Sequence, residues 1–213
     1  MKTILIGSMG RCGSTLLTKI VIEMLKLNGF KVNGFEHGKN NILKRVDYNV
    51  VKLHHDNDIK YDYLLTCVRD IREIMASTKK LIRKIDKWAK GRRMVISKDD
   101  LINDFQEHFL EKTIDQIEFH DYWIEKSDFC FKFEDYVYDG YCDFEKYNDT
   151  LSNLLKINKV DTNLLRNNVN EQKDNITLKK VGVNEYSDIL TVEQIDKIND
   201  NCTDFLKKYK YLK

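Results

Sequence analysis

The chain has 213 residues, of which 42% are hydrophobic and 33% charged, and its formal net charge is +2. This length predicts one domain, residues 1–213, able to bury roughly 70% of the unfolded surface, and so small a net charge gives no overall field that would select nucleic acid. No apolar run approaches the ~20 residues of a membrane span, and the amino-terminal apolar run is too short for a signal peptide. We therefore expect a cytoplasmic protein with no transmembrane segment and no nucleic-acid partner.

Apolar runs and helical periodicity define the predicted elements. Strands are expected at 2–7, 49–53, 62–68 and 128–133. Helices are expected at 14–28, 70–90, 99–126, 142–156 and 191–210, and a polar loop at 167–177. Strands that alternate with helices are typical of an α/β fold, here a three-layer α/β/α domain with a mainly parallel central sheet. Ligands of such sheets bind beyond the carboxyl ends of the strands, so the residues that follow each strand are the candidates for function.

The first predicted strand leads into a glycine-rich segment. Residues 7–15 read Gly-Ser-Met-Gly-Arg-Cys-Gly-Ser-Thr and precede a helical pattern. A strand, a glycine-rich loop and a helix amino terminus together present backbone N–H groups to a phosphate. The loop of nucleoside triphosphate enzymes has Lys directly after its last Gly, whereas here Ser14 follows Gly13 and the basic residue, Arg11, precedes it. The segment therefore predicts a phosphate-binding loop of a different class.

The other predicted strand ends carry basic and titratable side chains. Lys52 and His54 close the second strand, Arg69 follows the third, and Ser77 lies eight residues further on. Arginine suits a multiply charged anion, and histidine can take a proton near neutral pH. His55 is the alternative base, because side chains alternate between the two faces along a strand.

The five cysteines are odd in number, widely spaced and without a C-x-x-C pair, which indicates neither a disulfide framework nor a zinc site. Cys67 and Cys130 lie in apolar runs and are expected to be small buried side chains. Cys12 lies at a predicted helix amino terminus, where a cysteine phosphatase keeps its nucleophile. Such enzymes need Arg six residues later, and Thr18 stands there, so we exclude that class.

These elements together resemble the sulfotransferases that use 3′-phosphoadenosine-5′-phosphosulfate. Arg11-Cys12-Gly13-Ser14-Thr15 is similar to their 5′-phosphosulfate loop, although Gly10 stands where proline is usual. Lys52-Leu53-His54 is similar to a Lys-x-His element of the family, and Arg69 with Ser77 to its 3′-phosphate element. Lys179-Lys180-Val181-Gly182, followed by Glu185-Tyr186, looks like a loose version of a basic-glycine element near the carboxyl terminus. The elements follow one another in the family's order.

The resemblance implies a P-loop-like fold and transfer of a sulfuryl group to a hydroxyl or amine of an acceptor, with adenosine 3′,5′-bisphosphate as product and no metal. It implies that Arg11 stabilises the transferring group, that Lys52 adds positive charge and that His54 is the catalytic base. The residues implied to hold the phosphosulfate donor are Gly10, Arg11, Cys12, Gly13, Ser14, Thr15, Arg69, Ser77, Lys179, Lys180 and Gly182.

Two other interpretations remain open. A P-loop kinase or nucleoside triphosphatase would explain the loop, but it predicts Lys after Gly13 and a metal-binding Asp after another strand. A non-catalytic module for nucleotides or polyanions would use residues 69–93, which hold ten basic and three acidic residues. A charge run of this kind is also typical of a solvated helix face, or of a surface for an anionic acceptor or membrane. No motif distinguishes a small-molecule, lipid or glycan acceptor, and none indicates the oligomeric state.

Overall fold

Five parallel strands form the central sheet in this computed structural model, which describes residues 1–36, 43–54, 58–89, 110–138, 141–171 and 185–212. The strands are β1 (Lys2–Gly7), β2 (Val32–Glu36), β3 (Tyr48–Leu53), β4 (Tyr63–Val68) and β5 (Phe129–Lys132). They are ordered β2-β3-β1-β4-β5 across the sheet, and each neighbouring pair is parallel. Helices flank the sheet. The predicted α/β class is therefore confirmed, and the architecture is compatible with three α/β/α layers.

The helices of the described residues follow in chain order. They are α1 (Ser14–Leu27), α2 (Ile71–Ala89), α3 (Leu110–Lys126), α4 (Phe133–Tyr136), α5 (Phe144–Leu155), α6 (Thr162–Glu171), α7 (Val192–Asn201) and α8 (Thr203–Lys208), with a 3-10 turn at Tyr186–Asp188. A short antiparallel hairpin pairs β6 (Val137–Tyr138) with β7 (Tyr141–Cys142). None of the described helices is both long and apolar enough to span a membrane.

The chain divides into two compact units. The first comprises Met1–Val68 and Tyr122–Val183, and the second comprises Arg69–Asp121 and Asn184–Lys213. The first unit contains the whole sheet, α1, α5 and α6. The second contains α2, the 3-10 turn, α7 and α8.

The core of the first unit forms where apolar strands meet one face of α1. Strand β1 is buried at every residue after Lys2, as expected for a near-continuous apolar run in a parallel sheet. Helix α1 buries Leu17, Ile20 and Met24 completely, a spacing that places them on one helical face. This packing positions the start of α1 beside the end of β1.

Two predicted helical boundaries are wrong, for different physical reasons. Residues 167–171 belong to α6 and not to the predicted polar loop, because Leu165 and Val169 are fully buried one turn apart and α6 packs on α1. The carboxylate of Asp161 accepts a hydrogen bond from the N–H of Leu164 at 2.7 Å and caps the helix. The predicted helix 191–210 is two helices, α7 and α8, which meet at the buried Cys202.

The ends of the predicted strands agree with those of β1, β3, β4 and β5 within a residue or two, but β2 and the hairpin were not expected. Asn33 and Gly34 both have weak strand propensity, yet they lie in β2, where Gly34 packs closely on α1: a Cβ there would lie 2.2 Å from Cδ1 of Ile22. Position in the sheet overrides local propensity at β2.

Candidate anion-binding and catalytic site

The loop between β1 and α1 has a backbone shape suited to an anion. The φ angle is positive at Arg11 (68°) and at Gly13 (106°) but not at Cys12 between them. Alternation of this kind turns successive N–H groups toward one concave side, which is how backbone nests bind anions. Helix α1 then begins at Ser14 with no side-chain cap and no acidic residue in its first turn, so its N–H groups present partial positive charge there.

Two aromatic side chains fix the course of this loop. A Cβ at Gly13 would lie 2.4 Å from Cδ2 of Phe133, and a Cβ at Gly7 would lie 1.4 Å from Cε3 of Trp123. At Gly10, by contrast, a Cβ would meet nothing within 4 Å. The glycines at 7 and 13 are therefore required by packing. Neither aromatic partner was predicted from the sequence, because both lie more than a hundred residues away along the chain.

Lys52 reaches the start of α1 from the neighbouring strand. The register pairs Ile6 with Lys52 and Gly7 with Leu53, so the carboxyl ends of β1 and β3 lie side by side. The Nζ atom of Lys52 donates a hydrogen bond to Oγ1 of Thr15 at 3.1 Å. An ammonium group at a helix amino terminus is repelled by the helix dipole, and an anion bound in the loop would offset that repulsion. The structure thus brings Lys52 together with the predicted loop.

His54 lies one residue beyond β3 and is held by the backbone of the same loop. Its Nδ1 atom is 2.7 Å from the carbonyl oxygen of Ser8, and the N–H of Ser8 in turn donates to the carbonyl of Leu53 at 3.3 Å. A carbonyl only accepts, so Nδ1 carries a proton, and in the neutral ring Nε2 is the basic nitrogen. The role of Ser8 was missed, since a backbone acceptor leaves no signal in the residue type.

The buried side chain of Cys12 stabilises the loop. Its side chain is fully buried, and Sγ donates to the carbonyl oxygen of Met9 at 2.9 Å. The thiol is therefore a hydrogen-bond donor to the backbone of the loop. Cys67 is buried as predicted, and burial raises the pKa of its thiol well above the usual value. Cys130 is half-buried.

The comparisons with known proteins leave the family open. No protein-family model matches the sequence, and no curated protein matches it significantly. The resemblance to sulfotransferases therefore rests on the sequence elements themselves, at residues 10–15, 52–54, 69–77 and 179–186.

Arg69 and Ser77 belong to the second unit. Arg69 is 6% exposed, and its Nη2 atom lies 3.3 Å from Oε2 of Glu73. The other carboxylate oxygen, Oε1, accepts a hydrogen bond from the N–H of Tyr186 at 3.1 Å. Burial raises the pKa of Glu73, while the charge of Arg69 acts in the opposite direction. Ser77 is half-buried on α2. The assignment of Arg69 and Ser77 to a 3′-phosphate stays a prediction.

Residues 69–80, the first part of the basic stretch, include buried cations. Arg69, Arg72 and Lys79 are at most 9% exposed, so a fully solvated helix face is the wrong interpretation for these three. Arg72 pairs with Asp70 at 2.6 Å, and Nζ of Lys79 donates to the carbonyl oxygen of Ile189 and to Gln194. In the second unit Lys79 thus joins the carboxyl-terminal segment to α2.

Several candidates lie outside the described residues. They are His55, Lys179, Lys180 and Gly182, and their predicted roles stay predictions. Among the residues that are described, no three His, Cys, Asp or Glu side chains are grouped so that they could hold a metal ion. The expectation of a reaction without metal is likewise untested.

Proposed function

We propose that this protein is a sulfotransferase that moves a sulfuryl group from 3′-phosphoadenosine-5′-phosphosulfate to a hydroxyl or amine of an acceptor. One observation carries the proposal: at the end of β3, Lys52 contacts Thr15 in the first turn of α1, and His54 contacts Ser8 in the loop before it. A candidate phosphate loop, a cation and a candidate base therefore lie at one edge of the sheet, which supports a chemistry that needs these three groups.

The positive groups suit the donor's 5′-phosphosulfate. Backbone N–H groups of the loop and of the first turn of α1 would hold the 5′-phosphate, and the hydroxyls of Ser14 and Thr15 follow directly. As in phosphoryl transfer, a loose transition state leaves catalysis mainly to positioning and to stabilisation of charge. Lys52 and Arg11 would stabilise the charge that develops on the oxygen leaving the sulfur.

His54 would supply the base. Its Nε2 atom accepts the proton of the acceptor hydroxyl while the acceptor oxygen bonds to sulfur. The bond between sulfur and the bridging oxygen breaks, and its electron pair leaves on the 5′-phosphate. The products are the sulfated acceptor, adenosine 3′,5′-bisphosphate and a protonated histidine, so atoms and charge balance.

The donor's 3′-phosphate is assigned to Arg69 and Ser77 by the resemblance alone. Calorimetric titration of adenosine 3′,5′-bisphosphate and of adenosine 5′-monophosphate would test this assignment. We expect the bisphosphate to bind at least ~10-fold more tightly, about 1.4 kcal/mol, because the 3′-phosphate adds a charge-assisted contact. Arg69→Ala should remove this difference and leave the affinity for the monophosphate nearly unchanged. Equal affinities in the wild-type protein would overturn the donor assignment.

A thermal shift measurement separates the proposal from the kinase alternative. A ligand at 100 times its dissociation constant adds about 2.7 kcal/mol to stability, so the correct nucleotide gives a clear shift. We expect adenosine 3′,5′-bisphosphate to stabilise the protein more than ATP with magnesium does. The reverse order would favour a kinase or nucleoside triphosphatase. Mass spectrometry of cell extracts incubated with isotopically labelled donor would then identify the acceptor.

A further inference from the structure

The carboxylate of Glu73 joins two parts of the second unit. One oxygen is 3.3 Å from Nη2 of Arg69, and the other accepts the N–H of Tyr186 at 3.1 Å. Glu73 is 3% exposed, so water competes little for either contact. The side chain therefore uses both of its oxygens, and each has a different donor as partner.

The backbone at Tyr186, which donates to Glu73, is itself held in place by neighbouring contacts. The guanidinium of Arg72 lies over the Tyr186 ring, 4.6 Å from its centroid, and Arg72 is paired with Asp70. Lys80 also forms an ion pair with Glu185, the preceding residue. Because the backbone at Tyr186 is fixed from several directions, the carboxylate bonded to it has little freedom to move.

A fixed carboxylate restricts the guanidinium that it contacts. The guanidinium is planar, and its hydrogen bonds to a phosphate depend on the orientation of that plane. A contact at Nη2 ties one edge of the plane to Glu73, and burial of Arg69 limits its other rotamers. The contact with Glu73, which is itself bonded to Tyr186, thus restricts the orientation of Arg69.

We propose that Glu73 is a positioning residue, which orients Arg69 for the 3′-phosphate of the nucleotide and so determines the preference for nucleotides that carry this group. The inference rests on the proposed function, since it takes Arg69 as the 3′-phosphate ligand. It adds a residue that never touches the nucleotide, and it gives Tyr186 a role through its backbone N–H.

Glu73→Gln is the sharpest substitution, because it keeps the shape and removes one acceptor. A carboxylate accepts from both Arg69 and Tyr186, whereas an amide has one acceptor oxygen and an NH2 group that only donates. One of the two contacts must be lost. Loss of negative charge alone would strengthen binding of the 3′-phosphate, whereas loss of orientation would weaken it, so the direction of the change separates the two effects.

The measurement is the ratio of the dissociation constants of adenosine 5′-monophosphate and adenosine 3′,5′-bisphosphate, from calorimetry on the full chain. We expect Glu73→Gln to lower this ratio from at least ~10 toward 1, a loss of up to about 1.4 kcal/mol. In the double variant Arg69→Ala/Glu73→Gln the ratio should equal that of Arg69→Ala, because a residue that acts through Arg69 adds nothing once Arg69 is gone.

Lys79→Met is the matched structural control. Lys79 is also buried on α2 and holds the same carboxyl-terminal segment, but its partners are Ile189 and Gln194. We expect it to lower the melting temperature and leave the ratio unchanged. An unchanged or higher ratio in Glu73→Gln, with a wild-type ratio of at least ~10, would overturn the role of Glu73 and leave the donor assignment intact. A wild-type ratio of 1 would overturn both.

Discussion

The Nδ1 atom of His54 lies 2.7 Å from the carbonyl oxygen of Ser8, the residue that follows the last position of β1. This contact connects a candidate base to the loop that would hold the donor. It also selects the tautomer, because the carbonyl needs a proton from Nδ1 and leaves Nε2 as the basic nitrogen. A residue that keeps this hydrogen bond and lacks Nε2 therefore isolates the proton-transfer role.

We expect His54→Asn to lose roughly 10²–10⁴-fold in turnover and to bind adenosine 3′,5′-bisphosphate normally. Its side-chain NH2 can still donate to Ser8, so the loop should keep its conformation. His54→Ala should lose a similar factor in turnover and also some stability, because the carbonyl of Ser8 loses its donor. Single-turnover kinetics and calorimetry on both variants make the comparison. A fully active His54→Asn would show that His54 acts as a hydrogen-bond donor and not as the base.

Arg11 combines a strained backbone with a candidate catalytic side chain. Its φ angle of 68° costs a residue with a side chain roughly 1 kcal/mol relative to glycine. We therefore expect Arg11→Gly to raise the free energy of unfolding by about 1 kcal/mol, whereas Arg11→Ala keeps the strain. Both variants should lose about 10²–10³-fold in turnover, because both lack the guanidinium. Urea denaturation and steady-state kinetics measure the two effects. Near-normal turnover in either variant would remove Arg11 from the catalytic role.

Sulfuryl transfer should persist in excess chelator. Arg11, Lys52 and the backbone N–H groups of the loop would supply positive charge around the 5′-phosphosulfate, so the proposed reaction does not call for a divalent cation. The test is activity after dialysis against a chelator, followed by addition of magnesium. We expect no more than a small change at either step. Strict magnesium dependence would instead favour the kinase alternative.

The sequence predicted the strand, the glycine-rich loop and the helix of the candidate phosphate site because their signals are local. An apolar run, three glycines and a Ser-Thr pair lie within residues 4–15, and each element of β1, loop and α1 follows from its own residues. The contact of Lys52 with Thr15 at the start of α1 was not predicted. It depends on the parallel register of β1 and β3, which no short segment specifies.

Long-range packing explains what the sequence did not reveal. Lys79 belongs to a charged run in the sequence, yet it is buried and donates to Ile189 and Gln194. These acceptors lie 110 and 115 residues away in sequence, so the run itself gives no sign of them. The four-residue spacing of Arg69 and Glu73 predicts an ion pair between them. The second partner of Glu73, the N–H of Tyr186, is a backbone group 113 residues away. Such partners are set by tertiary structure and leave no trace in residue spacing.

The two glycines of the loop offer a matched pair of substitutions. A Cβ at Gly13 would overlap the Phe133 ring at 2.4 Å, and the φ angle of 106° is unfavourable for any other residue. A Cβ at Gly10 would meet nothing within 4 Å. We expect Gly13→Ala to destabilise the protein by about 2–4 kcal/mol, from overpacking and left-handed strain together. Gly10→Ala should stay within about 0.5 kcal/mol of the wild-type protein.

The same pair tests whether the loop shape is needed for binding. Gly13→Ala must displace the loop or the ring, so the N–H groups that follow would no longer converge, and affinity for adenosine 3′,5′-bisphosphate should fall together with stability. Phe133→Leu in the Gly13→Ala background should recover part of the stability, because it shortens the side chain that the new Cβ meets, and the two changes should therefore be non-additive. Urea denaturation and calorimetry on the single and double variants give both quantities. A Gly13→Ala protein as stable as Gly10→Ala, with unchanged nucleotide affinity, would contradict the view that the contact with Phe133 fixes the anion-binding shape of the loop.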